Sequence, residues 1–129
     1  MSPGKLAAQV GHCAEAYWLY MLKNTVGLPN SAFYYYCGAI PRDEFEQYVC
    51  GNITKTVCQS RNKSHLLKAK DHAIELGLNE NLDFGLIYDK CLTELEPEED
   101  DGTTLTGIWF KPLPDNIAHS ISKKYHLYV

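Results

Sequence analysis

No stretch of this sequence approaches 18 consecutive apolar residues, so nothing in it reads as a membrane span. No charged-then-apolar leader comes before a small-residue cleavage site. No two cysteines form a CxxC pair, which leaves a zinc site or a thioredoxin-type centre without support. The five cysteines, Cys13, Cys37, Cys50, Cys58 and Cys91, are odd in number and far apart. A small secreted disulfide scaffold needs a denser, even set. Reduced thiols in a cytoplasmic protein are the expectation, and the sequons at Asn52 and Asn62 then carry no glycan. Internal repeats, low-complexity tracts and Pro/Gly/Ser linkers are missing too. What remains is 129 residues, 45% of them hydrophobic, which suits one domain over 1–129 built on one apolar core.

Positive charge is in deficit overall, with 12 Lys and Arg against 16 Asp and Glu for a net of −4. Such a balance argues against a non-specific nucleic-acid binder, because phosphate affinity rests on cations. The average conceals an asymmetry. Residues 52–74 hold Lys55, Arg61, Lys63, Lys68 and Lys70 against Asp71, whereas residues 75–101 hold ten carboxylates against Lys90. Six of those acids run together from Glu94 to Asp101, a stretch that reads first as a solvated loop. Without them the chain is net +2, so the acidic total does not exclude RNA.

Ser2 and Pro3 are cap and first-turn residues, and they predict a helix from about Pro3 to about Lys23, ended by Gly27 and Pro29. A polar-aromatic loop with Tyr34, Tyr35 and Tyr36 follows, then a short helix over 42–50. Ile53 to Gln59 alternates with β-branched residues and predicts a strand. Asn62 or Ser60 caps a third helix that stops at Gly77. Leu82 to Tyr88 and Thr103 to Phe110 are further strands, Asp115 to about Lys124 a last helix, and His126 to Val129 a tail or edge strand. Strands separated by helices give an α/β fold with a mixed sheet. Three strands are few for so many helices, which points to a missing first strand. Tyr17, Trp18, Leu19, Tyr20 and Leu22 are expected to pack the first helix on the sheet.

Two constellations could carry chemistry. Lys5, Gln9 and His12 are four and three residues apart, so they share a helix face. Beside them Ala7, Ala8 and Gly11 are small enough to admit another backbone. A cation, an amide and an imidazole suit an anionic, hydrogen-bonding ligand; the plainer reading is an exposed polar face. Asp89 ends a strand with Thr93 four residues on, and Gly102-Thr103 opens the next strand. Ligands of α/β sheets sit at the carboxyl ends of strands, although Asp after a strand is also a common turn residue. His65 and His72 have no accompanying ligand set, so no metal is expected.

Met1-Ser2-Pro3-Gly4-Lys5-Leu6-Ala7-Ala8-Gln9-Val10-Gly11-His12 resembles the K-M-x-x-G-K-x-A-A-Q-x-x-H-A signature of the type 2 peptidyl-tRNA hydrolases. Asp89 to Thr93 and Asp101-Gly102-Thr103 resemble that family's D-x-G-x-T and P-G-T, with Cys91 where the family has glycine. The resemblance covers nearly the whole chain. It implies a mixed, about four-stranded sheet flanked by helices on both faces, often in a homodimer, with the strand before the signature absent here. The implied activity is hydrolysis of the ester joining peptide to tRNA, without metal or cofactor. Lys5, Gln9, His12, Asp89, Thr93 and Thr103 would line the site, and Lys55, Arg61, Lys63 and Lys68 would meet RNA phosphates. Asp89 or His12 would position or deprotonate water, with the base left open between them. A second reading, drawn from the acidic loop and the altered glycine, is a hydrolase-like module that binds RNA or a protein without turnover.

Overall fold

A computed structural model describes residues 1–128. Its first element, α1 (Pro3–Leu22), starts where Ser2 Oγ accepts a hydrogen bond from Lys5 N at 3.2 Å. Twenty residues give it a length of about 30 Å. No acid stands in its first turn. Instead Glu94, distant in sequence, accepts from Ser2 N at 2.7 Å and from Ser2 Oγ at 2.6 Å, placing a carboxylate against the positive end of the helix.

Past α1 the expected loop is a small hairpin. β1 (Thr25–Gly27) and β2 (Tyr34–Tyr36) pair antiparallel, with Thr25 opposite Tyr36. Three-residue strands are too short to show an alternation, so the residue pattern does not reveal them. The following turn is a π-helix (Glu44–Val49), in which Cys50 N reaches back five residues to Phe45 O. Both ends of that turn are fixed to α1. Tyr17 Oη donates to Glu44 Oε2 at 2.5 Å, and the Trp18 and Tyr48 rings stack at 5.7 Å. Lys111 then links Glu44, at 3.3 Å, to the buried Asp83, at 2.9 Å.

The main sheet consists of β3 (Phe84–Asp89) and β4 (Thr104–Phe110), paired antiparallel. Every fourth residue of α1 faces it. Gln9 meets Thr106, the Cys13 thiol lies over Gly107, and Tyr17 stands 6.1 Å from Trp109. Gly107 is what permits this approach, because a Cβ there would stand 2.7 Å from Cys13 Sγ. Helix α2 (Lys63–Glu75) packs on β4 and on α3 (Asp115–Ser122), burying Ala69 and Ala73. Asn62 caps α2, and Gly77 at φ +85° ends it, with Leu78 N on Ala73 O at 3.0 Å. That is a Schellman closure, and it needs the left-handed residue that glycine supplies.

The α/β class holds, but the sheet is smaller than the sequence implied. Two antiparallel pairs replace one mixed sheet of about four strands. Ile53 to Gln59 forms no strand, since only its end finds a partner. Cys58 bridges Leu127, Gln59 N donates to His126 O, and Tyr128 N donates to Val57 O, while Ile53 is exposed. Alternation without a neighbouring strand leaves the backbone to water. The end of the chain, expected as a tail or edge strand over 126–129, is over 126–128 a short clasp on 57–59, with Val129 outside the described residues. Leu19, Tyr20 and Leu22 do not pack on the sheet; α1 outruns it, and all three are exposed. Among the described residues no helix is long and apolar enough to cross a membrane.

Candidate functional site

Asp89 is the last residue of β3, and there it meets the first half of α1. Its Oδ2 accepts from Lys5 Nζ at 2.6 Å and from Gln9 Nε2 at 3.0 Å, while Oδ1 accepts from Cys91 N at 2.8 Å. The Lys5 and Asp89 side chains are 15% and 11% exposed, so the pair sits at a rim, shielded from bulk water but open to a ligand. Hydrogen bonding to Lys5, then to Cys91 N and Gln9, holds the Asp89 carboxyl below the usual carboxylate range. Lys5 Nζ also lies 3.4 Å from Thr93 Oγ1. An ammonium has three protons, so one remains for another acceptor.

Gln9 is buried at 4% exposure, and its amide is oriented at both ends. Thr106 Oγ1 donates to Gln9 Oε1 at 2.6 Å, which turns Nε2 toward Asp89. Thr106 owes that position to a bulge. β4 carries one residue more than β3 between the Ile87↔Gly107 and Tyr88↔Leu105 pairs, and Thr106 is that residue. Bulges re-aim side chains in this way. Sequence reasoning misses Thr106, because alternation along β4 cannot show where the count slips. It also misses the Cys91 N–H and the Ser2–Glu94 clasp, the latter hidden in a run of acids that looks uniformly solvated.

The structure thus brings together Lys5, Gln9, Asp89 and Thr93, but not the other two. The His12 side chain is 56% exposed, and its neighbour is Glu15, with Nδ1 3.9 Å from Oε1. Thr103 turns to its own loop and donates from Oγ1 to Asp101 Oδ1 at 2.6 Å. With Tyr88, Glu99 and Asp100 it borders a shallow cleft of about 360 Å³. Of the four cations expected to meet RNA, Lys63 is paired with Glu99 and Lys55 lies 5.5 Å over the Tyr48 ring. Lys68 is exposed, and Arg61 borders a separate pocket. No group of three or more His, Cys, Asp or Glu stands close enough to hold a metal among the described residues.

Cys91, where the resemblance to the type 2 hydrolases puts a glycine, has φ +59°. A left-handed non-glycine residue costs about 1–2 kcal/mol, and the Asp89–Cys91 turn imposes it. Cys91→Gly is expected to melt at or slightly above the parent temperature, the relief of strain exceeding the added freedom of the unfolded chain. Cys91→Val should lose about 2 kcal/mol, as a β-branched residue resists this conformation. Thermal unfolding of both variants checks this; a glycine variant clearly less stable than the parent contradicts it.

Other carboxyls share the depression seen at Asp89. Hydrogen bonds from Ser2 lower Glu94, and those from Thr103 lower Asp101. Burial alone would raise Asp83, but Asn79 N and Lys111 bring it below its ordinary value. All four ionise at lower pH folded than unfolded, where Asp and Glu titrate near about 4. The stability they contribute is whole above about pH 5 and drains away as pH falls through the folded values. Denaturant midpoints are expected to be level from pH 7 to 5 and to drop below about pH 4. A midpoint that rises on acidification rules this out.

No curated protein matches the chain. The family model described as peptidyl-tRNA hydrolase PTH2 does match it, over residues 1–128. With the Lys5–Gln9–Asp89 arrangement at the meeting of α1 and β3, and that match along its length, the chain belongs to the PTH2 peptidyl-tRNA hydrolase family.

Proposed function

We propose that this chain hydrolyses the ester bond of peptidyl-tRNA, releasing the peptide and returning the tRNA. The observation that carries the reading is the Asp89 carboxylate, held ionised by Lys5, Gln9 and Cys91 N at the end of β3. A carboxylate saturated with donors and depressed in pKa is a weak base. Asp89 is therefore assigned the task of an anchor. It fixes the Lys5 ammonium, whose free proton meets the carbonyl oxygen of the ester.

In the reaction, water attacks the ester carbon and negative charge collects on that oxygen. The C–O bond to the ribose then breaks, and the departing ribose oxygen takes up the proton that the attacking water gives up. A preoriented ammonium in a partly dry rim stabilises the charge as it develops. Gln9, locked by Thr106, has a second amide N–H to offer the substrate, and Thr93, beside Lys5 Nζ, offers its hydroxyl to the ester and ribose. His12 is the remaining titratable group on this face of α1, about 10 Å along the helix axis from Lys5. Its ring lies beside Glu15 and outside the Lys5–Gln9–Asp89 cluster, so no step is assigned to it. Lys55, Arg61, Lys63 and Lys68 are the cations offered to the RNA backbone.

The test is release of peptide from an N-blocked aminoacyl-tRNA by the full chain under multiple turnover. Turnover proportional to enzyme supports the assignment. A folded protein that binds this substrate and releases nothing overturns it in favour of a binding module.

A further inference from the structure

A cavity of about 430 Å³, apart from the Lys5–Asp89 site, is lined by Gln59, Ser60, Arg61, His65, Lys124 and His126. Two of these residues are cations and two are imidazoles; none is an acid, in a chain of net charge −4. The local fold gathers them. The tail clasps 57–59 through Gln59 N on His126 O at 2.9 Å, which brings Lys124 and His126 beside the start of α2. Arg61 N donates to His65 Nδ1 at 3.1 Å, so that nitrogen is an acceptor and the ring's other nitrogen carries the proton. The ring is braced by stacking on Tyr125 at 4.4 Å, and Tyr125 Oη donates to His65 O at 2.8 Å.

The charge in this pocket is unanswered. Lys5, Arg42, Lys63, Lys70 and Lys111 each pair with a carboxylate, whereas Arg61 and Lys124 make no ion pair among the described residues. The close side-chain neighbour of Lys124 Nζ is His72 Nδ1 at 3.4 Å, and the acid at that ring, Glu75, is itself 75% exposed. The first turn of α2 contains no acid and points its positive end at the same place. A planar guanidinium, an ammonium, imidazole donors and a hydroxyl match the several oxygens of one phosphate better than a flat carboxylate.

We infer that this pocket binds a phosphate of the tRNA backbone and holds the RNA while its 3′ end is at Asp89. The assignment of the phosphate to tRNA rests on the proposed function; the affinity for phosphate does not. Lys68, exposed on the same helix, is a further cation without an ion pair among the described residues.

The test uses the full chain and the double variant Arg61→Ala/Lys124→Ala. Arg61 reaches His65 through its backbone N–H, so the truncation leaves that bond in place. Deacylated tRNA binding, followed by fluorescence anisotropy over a range of salt, is expected to weaken about 10-fold or more. The salt slope should fall by about 1 for each phosphate that is no longer neutralised. Lys23→Ala, at the far end of α1, should bind as the parent does. Inorganic phosphate titrated into the labelled protein should shift the amide signals of Arg61, His65 and Lys124 and leave those of the double variant unmoved.

Parent-like tRNA binding and salt slope in the double variant overturn the pocket. So does an equal loss in Lys23→Ala. Peptide release with unchanged KM in the double variant overturns the pocket while leaving the hydrolase reading intact. A parent chain that binds tRNA through Arg61 and Lys124 yet releases no peptide supports the pocket and removes the hydrolase.

Discussion

Asp89→Ala is expected to lower kcat for peptidyl-tRNA by about 10²–10³, the usual cost of losing one preorganised charge-stabilising group. The effect runs through Lys5, which would keep its charge but lose the 2.6 Å hydrogen bond that aims it. Gln9 Nε2 would lose its acceptor as well. Asp89→Asn is nearly as harmful, because its amide must turn an N–H toward either the Cys91 N–H or the Lys5 ammonium, a donor against a donor. Lys5→Met should match these losses. The variant with both changes should be little worse than either alone, since residues acting as one unit are not additive. Steady-state kinetics on variants with parent-like circular dichroism reads the result. Activity within threefold of the parent in Asp89→Ala removes Asp89 from the site.

The largest stability loss is expected at Phe84, the one large side chain that is fully buried among the described residues. It begins β3, its ring lies 5.9 Å from that of Phe110, and its backbone carbonyl accepts from Asn81 N at 2.6 Å. Phe84→Ala should cost about 3–5 kcal/mol through reduced burial and the cavity left behind. A domain holds only about 5–15 kcal/mol in all, so this is a large fraction, read as a fall in Tm on the order of 15 °C. Leu92→Ala, at a side chain 84% exposed, should change stability by less than about 0.5 kcal/mol. Equal melting of the two variants would show that the core does not centre on β3.

Elements with strong ends are readable from sequence. Ser2 with Pro3, Asn62 with Gly77, and Asp115 each fix a helix boundary to within a residue or two. Asp89 at a strand end is readable as well, whereas its meeting with Lys5 and Gln9 is legible only through the family resemblance. Three things are not. Spacing places His12 on the face of Lys5, but it stands two turns, about 10 Å, further along the axis, where its ring meets solvent and Glu15. Ile53 to Gln59 has a strand's composition without a partner, which only the tertiary fold can supply or withhold. The charge run from Glu94 to Asp101 looks like one solvated feature, yet Glu94 holds Ser2, Glu99 holds Lys63 and Asp101 holds Thr103. Which acid meets which partner depends on loop path, and charge patterning carries no information about that.

The extra residue in β4 makes the orientation of Gln9 a matter of counting. On one side of Thr106 the strands pair as Ile87↔Gly107, on the other as Tyr88↔Leu105, and side chains alternate faces with every residue. A chain one residue shorter in β4 would lose the slip and with it the Thr106 hydroxyl that orients Gln9, while Asp89, two residues from Ile87 on β3, would keep its face. The loop from Lys90 to Thr103 imposes no such parity. Length differences among relatives should gather in that loop and avoid β4, so the spacing from Thr104 to Phe110 is a stricter mark of this site than the identity of most residues within it.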